Sequence, residues 1–297
     1  MFDYSDVKYI CYNWMPRIAD HILDHTEQFY KNAGVSRQHN CDTFDPYAVK
    51  ENDIIFVKTD YIINGTFEKY FLNKIGTTFN LITGISSYHL GRDDNGGYKN
   101  ILNNSRINKW ICTNPPVENS KKIIPIPIGF QEPDRPGGNQ TFLEHIHESR
   151  HEFHNKIDGI FLPYHDLSTN PMRKEQFEYL SSLPFVYSQR EKQSLIQYYQ
   201  SLNSYKFVIG LEGSGPDIHR NYETLLVGSI PINTKNIIEQ LFKHHGVEAI
   251  FLNDWENLNT KTFEKILDLS FNRIINDQFL KIDYHRGHIR DNISKGV

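Results

Sequence analysis

Short apolar runs with β-branched residues, closed by turn residues, alternate along the chain with stretches of helical period. Residues 53–58, 79–84, 109–113 and 123–129 read as buried strands, with helical pieces at 67–75 and 98–102. Runs of this length with Gly or polar residues at their ends suit strands covered on both faces. A polar stretch rich in Pro and Gly, 131–139, then interrupts the pattern and reads as a linker, followed by a polar helix over 141–154. The pattern restarts with strands at 159–164, 185–187, 206–211 and 229–233. Helices are predicted from Asn170-Pro171 through Leu180, over 191–201, and over 217–227 up to Gly228. Strands alternating with helices predict parallel α/β sheets. Two such halves predict a pair of Rossmann-like domains facing a central cleft.

Composition narrows the class. The chain has 297 residues, about two domains' worth, and 38% hydrophobic against 23% charged residues marks it as globular rather than disordered. A net charge of −4 argues against a nucleic-acid scaffold or a polybasic membrane binder. No apolar run approaches the ~18–20 residues a membrane-spanning helix needs, and the first residues lack a basic stretch followed by an apolar one. Cys11, Cys41 and Cys112 have no metal-site spacing, which favours a reduced protein. The expected location is cytoplasmic (the host cytoplasm for a viral chain), with the Asn-x-Ser/Thr sites at Asn64, Asn103, Asn139 and Asn292 unused.

The chemistry concentrates in two strand-to-helix loops of the second half. In the first, a strand ends at Leu211-Glu212, Gly213-Ser214-Gly215-Pro216 follows, and a helix starts near Asp217. Glycines admit close approach of a ligand, and a helix N-terminus offers unpaired N–H groups that suit an anion. Arg220 in the first turn could bind a phosphate, and Glu223, three residues on, could accept from ribose hydroxyls. In the second, Tyr164 to Arg173 also leaves a strand and opens a helix. Thr169 and Asn170 can cap it, and Arg173 lies in its first turns. Two arginines so placed could clamp a diphosphate. The plainer alternative is an ordinary turn at each site, with Asp217 as N-cap, Arg220 solvated and Gly228 closing the helix.

Residues 213–232, from the glycine loop through Asp217-Ile218-His219-Arg220, Glu223 and Gly228 to Ile230-Pro231-Ile232, resemble the signature of exostosin-like glycosyltransferases. Residues 166–173 resemble that family's Asn-x-x-x-x-Thr-Asn-x-x-Arg element. Leu81-Ile82-Thr83 resembles the start of its Thr-His-Asn-Ser-Asp loop, and Trp110 with 124–129 resembles its Trp…Ile-Pro-Ile-Gly run. The matches keep the family's order over roughly residues 80–233. The family includes exostosins, plant cell-wall transferases, and bacterial and large-virus homologues, among them an algal-virus xylosyltransferase.

The resemblance implies a GT-B fold. Residues 1–135 would bind the acceptor, 155–270 the nucleotide-sugar, and 271–297 would cross back onto the first domain. It implies an inverting, metal-independent transfer of a sugar, with xylose one candidate, from a UDP-linked donor to a glycan or glycoprotein acceptor. No cofactor and no nucleic acid enter. Thr169, Asn170, Arg173, Glu212, Gly213, Ser214, Gly215, Asp217, His219, Arg220 and Glu223 would meet the donor, with Arg173 and Arg220 neutralising the departing diphosphate. The family's closing aspartate, the natural base, corresponds here to Ser87. His89 or Asp93 is then the expected base, unless both are plain loop residues.

Two alternatives stay open: a GDP-fucose-type fucosyltransferase, and an inactive GT-B fold that binds glycans. His147, His151 and His154 fall on one face of the predicted 141–154 helix, so a Zn2+ site is conceivable, though a solvated helix is the simpler reading and no metal is expected. Tyr70-Phe71 and Tyr198-Tyr199 read as core pairs.

Overall fold

The structure is a computed structural model that describes residues 7–24, 44–94, 96–116, 120–269 and 277–294; Cys41 lies outside them. The chain divides into two compact units. Taking the described residues within each range, Tyr12–Ile128 with Asp283–Val297 form one, and Met1–Cys11 with Gly129–Ile282 form the other. Each carries a five-stranded sheet in which every strand pair is parallel.

The unit that contains Tyr12–Ile128 has strands β1 (His21–Leu23), β2 (Ile54–Lys58), β3 (Phe79–Gly84), β4 (Ile107–Cys112) and β5 (Ile123–Pro125), in that spatial order. Helices α1 (Thr59–Ile63), α2 (Thr66–Tyr70) and α3 (Tyr98–Leu102) lie among the connections. Every residue of β3 is buried, including the polar Asn80 and Thr83, as expected of a strand covered on both faces. Trp110 is fully buried and satisfies its indole N–H by donating to Thr83 Oγ1 at 3.0 Å. The strand expected over 123–129 stops at Pro125, because prolines at 125 and 127 cannot donate to a ladder. The helix expected over 67–75 breaks after Tyr70 into a 3-10 turn, Leu72–Lys74.

The other unit runs α4 (Gln140–Glu148), β6 (Ile157–Leu162), α5 (Arg173–Ser181), β7 (Val186–Ser188), α6 (Leu195–Ser204), β8 (Tyr205–Ile209), α7 (His219–Leu226), β9 (Ile230–Thr234), α8 (Ile237–His245), β10 (Ile250–Leu252) and α9 (Thr260–Leu267). Its strand order is β10-β9-β8-β6-β7. From β6 the chain moves outward to β7, then crosses back over β6 to β8 and continues the opposite way. The order therefore reverses between β6 and β8, and ligands of open parallel sheets bind beyond the carboxyl ends of strands at such a reversal.

Both chain ends change partners. The Ile10 N–H donates to the Leu280 carbonyl at 2.9 Å and the Phe130 N–H to the Ile10 carbonyl at 3.0 Å, which builds the N-terminal strip into the β6–β10 unit. Gly129 has φ +73°, and a Cβ there would lie 2.6 Å from the Ile10 carbonyl oxygen, so glycine is required. The stretch 131–139, linker-like in sequence, belongs to this unit too. The final helix, α10 (Ile282–Ser294), takes the chain back to the β1–β5 unit.

Helix α4 ends at Glu148, six residues short of the expected 141–154 span. His151 and His154 fall outside it, so the shared face expected of His147, His151 and His154 does not form. His147 instead meets Arg150 at 2.9 Å and Asp277 at 3.4 Å. Cys11 and Cys112 are both buried. Among the described residues no helix is long and apolar enough to cross a membrane.

Candidate functional site

The two loops singled out in the sequence leave β6 and β8, the strands that flank the reversal. Arg173 is the first residue of α5 and Arg220 the second of α7, so each strand-to-helix connection delivers one guanidinium to the same edge of the sheet.

Arg173 is 8% exposed and sews the loops together. Its Nε donates to the Glu212 carbonyl at 2.7 Å and its Nη2 to the Leu211 carbonyl at 3.0 Å. Its Nη1 donates to the Asp166 carbonyl at 2.9 Å and to Thr169 Oγ1 at 2.8 Å. Four of the five guanidinium N–H groups are thereby used, leaving one. Asn170 adds a second stitch, donating from Nδ2 to the Gly213 carbonyl at 3.3 Å. Gly213 has a steric reason to be glycine, since a Cβ would sit 3.2 Å from Arg173 Nη2.

Arg220 is bound differently. Its Nη2 donates to the Tyr164 carbonyl at 3.0 Å, its Nε to the Tyr198 hydroxyl at 3.2 Å, and its Nη1 to His165 Nε2. Three of five N–H groups are used, and two remain without an acceptor among the described residues. Tyr198 in turn donates to Glu223 Oε2 at 2.5 Å, which leaves Glu223 Oε1 with no partner among the described residues. Burial beside the Glu223 carboxylate pushes the Tyr198 hydroxyl far above its ordinary range, so it stays protonated and serves as a donor.

His165 is 3% exposed and sits against both arginines. Its Nδ1–H donates to the Pro163 carbonyl at 2.7 Å, and its Nε2 accepts from Arg220 and from the Leu211 N–H at 3.3 Å. Burial, then Arg220, then Arg173 hold its imidazole well below the usual histidine range. Burial and Arg220 also lower the Arg173 guanidinium to about 10. Among the described residues neither guanidinium forms an ion pair with a carboxylate. Two cations and a neutral imidazole at the head of a parallel sheet make an electrostatic setting that favours an anion.

No protein-family model matches this chain, and no curated protein matches it. The site therefore rests on its own geometry.

Several expected donor contacts are placed elsewhere. Asp217 is 6% exposed and accepts from the Tyr222 hydroxyl at 2.5 Å. The N-cap of α7 is Ile218, with no side-chain cap, so Asp217 does not cap the helix. His219 turns its Nδ1 to the Gly129 carbonyl at 2.7 Å. Asn170 joins loop to loop, while Thr169 Oγ1 donates to the Asp166 carbonyl and accepts from Arg173 within its own loop. Glu212 accepts at Oε1 from Asn236 Nδ2 at 2.6 Å. Ser214 is exposed, while the Gly213 N–H closes onto the Gly215 carbonyl at 3.2 Å and so does not point outward as part of a cradle.

His89 and Asp93 lie in the other unit, in the loop after β3. Asp93 Oδ2 accepts from the His89 backbone N–H at 2.7 Å and from Arg92 Nη2 at 3.0 Å, and Oδ1 accepts from Arg92 Nε at 2.9 Å. Arg92 holds the Asp93 carboxyl below its ordinary value against a partial burial cost. Ahead of this loop, Ile85 is 2% exposed with φ +55°, an unfavourable conformation for a β-branched residue.

Sequence reasoning missed His165 and Tyr198. Tyr198 and Tyr199 were read together as a core pair, yet adjacent helical residues point about 100° apart. Tyr199 is buried at 1% while Tyr198 reaches Arg220 and Glu223. His165 lay inside a stretch already singled out; its position just past a strand's carboxyl end was the available signal.

Proposed function

We propose that this chain is a metal-independent, inverting glycosyltransferase of GT-B type that moves a sugar from a nucleotide-sugar, UDP-linked, to a glycan acceptor. One observation carries the reading: Arg173 and Arg220 flank His165 at the strand-order reversal, neither hydrogen-bonded to a carboxylate among the described residues, with Asp166 acting on Arg173 only at longer range. A nucleoside diphosphate is a leaving group that needs positive charge as its bond to the sugar breaks, and fixed guanidiniums supply it without reorganisation. Arg220, with two N–H groups left over, contacts the phosphates. Arg173 contributes its charge while holding the loops. In this reading Glu223, whose Oε2 is taken by Tyr198, accepts from a ribose hydroxyl at Oε1. Tyr164, Leu167 and Met172 expose apolar surface on the same loop, which suits a nucleotide better than a bare inorganic anion.

Inversion requires one displacement, in which a base takes the acceptor proton as its oxygen attacks the anomeric carbon and the diphosphate leaves. Of the two expected bases, His89 is the better: both Asp93 oxygens are engaged and its basicity is lowered.

The test is a thermal-shift panel of UDP-, GDP- and CMP-sugars, followed by turnover with and without EDTA. A ligand that binds only the folded protein at ~100 times its dissociation constant adds about 2.7 kcal/mol of stability. UDP-sugar stabilisation with chelator-insensitive transfer is expected. GDP-fucose selectivity would move the reading to a fucosyltransferase. Binding without turnover would leave a glycan-binding module, and rescue by Mn2+ after collapse in EDTA would refute metal independence.

A further inference from the structure

Arg220 owes its orientation to three acceptors: the Tyr164 carbonyl, the Tyr198 hydroxyl and His165 Nε2. The first two are available to any residue set with this backbone and a tyrosine at 198. The third exists only while His165 carries its proton on Nδ1, and that tautomer is set by the Pro163 carbonyl at 2.7 Å. The same nitrogen receives the Leu211 N–H at 3.3 Å, so one lone pair ties the β8 exit to α7. We propose that His165 is a positioning residue which, as the neutral Nδ1–H tautomer, holds Arg220 in the orientation that receives a diphosphate. This assignment rests on the diphosphate reading of the site.

The environment of His165 excludes the charged form. Arg173 faces it from α5 and Arg220 from α7, the Phe177 ring of α5 lies edge-on at 6.4 Å, and its remaining polar neighbours are the Pro163 carbonyl and the Leu211 N–H. Protonation would place a third cation among two guanidiniums and convert Nε2 from acceptor to donor, which breaks the bond to Arg220. Nε2 works here only as an acceptor, and the single ring proton stays on Nδ1 against the Pro163 carbonyl.

Two replacements separate this role from packing. A glutamine amide reaches the Nε2 position, and an asparagine amide reaches only the Nδ1 position. Calorimetric titration of the full chain with inorganic pyrophosphate is the readout. His165→Asn should weaken pyrophosphate binding by about tenfold or more, the loss of one hydrogen bond to a charged group. His165→Gln should recover most of that loss. Equal affinities in the two variants, or the reverse order, overturn the proposal. Histidine-selective 15N NMR of the wild type gives a reading that needs no variant. A His165 signal locked in the Nδ1–H tautomer down to pH ~5.5 supports it, and one that titrates at or above the ordinary ~6.5 overturns it. Pyrophosphate binding in the expected pattern without nucleotide-sugar turnover would refute the transferase reading and leave this inference standing. A wild-type chain that does not bind pyrophosphate refutes this inference.

Discussion

The carboxyl-terminal edges of the two sheets are both ends of parallel strands and differ in charge arrangement. Beyond β2 and β3, each cation on the edge has a nearby acid: Lys58 lies 3.4 Å from Asp60, and Arg92 pairs with Asp93 at 2.9 Å. Beyond β6 and β8, Arg173 and Arg220 bind carbonyls, a hydroxyl, a tyrosine and an imidazole, all neutral. Paired charges cancel and leave little field for a ligand, whereas guanidiniums held by dipoles keep theirs. Topology adds to the contrast. The first sheet runs β1 to β5 in chain order, and the second reverses between the two strands that carry the arginines. The reversal is thus the edge whose cations are held by neutral groups and not by a hydrogen-bonded carboxylate.

The largest effect that would break this comparison lies on the paired edge. His89→Ala should cost roughly 10²–10⁴-fold in transfer rate while leaving donor binding intact, and Asp93→Asn should retain most activity. The pH profile separates the two. A base must be unprotonated, so a base at either residue makes kcat/KM fall as pH drops. An Asp93 base, held below its ordinary value by Arg92, would put that limb on the acid side of the ordinary carboxylate range, below where an imidazole base would put it. An inactive Asp93→Asn beside an active His89→Ala would transfer the role to the carboxylate.

Arg173→Ala comes next, and its loss should appear in stability. It strips donors from the buried Leu211 carbonyl and the part-buried Glu212 carbonyl, while the Asp166 carbonyl keeps Thr169 Oγ1; at about 1–3 kcal/mol for each acceptor left unsatisfied, a fall of about 3 kcal/mol is expected. That corresponds to a melting temperature lower by roughly 6–12 °C. Arg173→Lys should not restore it, because one ammonium cannot reach carbonyls in two loops. An unchanged melting curve would remove the strap. Arg220→Ala should do the opposite, weakening nucleoside-diphosphate binding by about 10–100-fold, or 1.5–3 kcal/mol, with little change in melting temperature. Unaltered affinity would remove the central claim about the site.

The smallest expected effect uses an arginine of the same unit that is neutralised. Arg150 forms a bidentate pair with Asp277 at 2.8 and 3.0 Å, so Arg150→Ala should leave diphosphate affinity unchanged. Burial opposes the Asp277 charge, but His147 and Arg150 prevail and hold its carboxyl well below the ordinary range. A depressed carboxyl stabilises the fold above about pH 4 and loses that contribution as pH falls. Asp277→Asn should therefore flatten the acid limb of stability, measured by urea unfolding across pH 3–7.

Residue order was enough to read the two alternating α/β patterns, the buried strands β2, β3, β4, β6, β8 and β9, and the two loops that carry Arg173 and Arg220. These are local properties: unbroken apolar runs, turn residues and capping positions act over a few neighbours. The short edge strands β1 and β10 were missed, since three residues carry too little periodicity, and the helix expected over 141–154 was overextended because polar helical residues continue past its end. Only the tertiary structure decided that the strand order reverses between β6 and β8, that Arg173 spends its donors on backbone while Arg220 keeps two, and that Asp217 turns to Tyr222. It also decided that Tyr198 and His165 join the site. Apart from the local Asp217–Tyr222 bond, those outcomes depend chiefly on which carbonyls, hydroxyls and rings meet across 22 to 56 positions of chain, and hydrogen-bond partners at such separations are chosen by packing, not by sequence spacing.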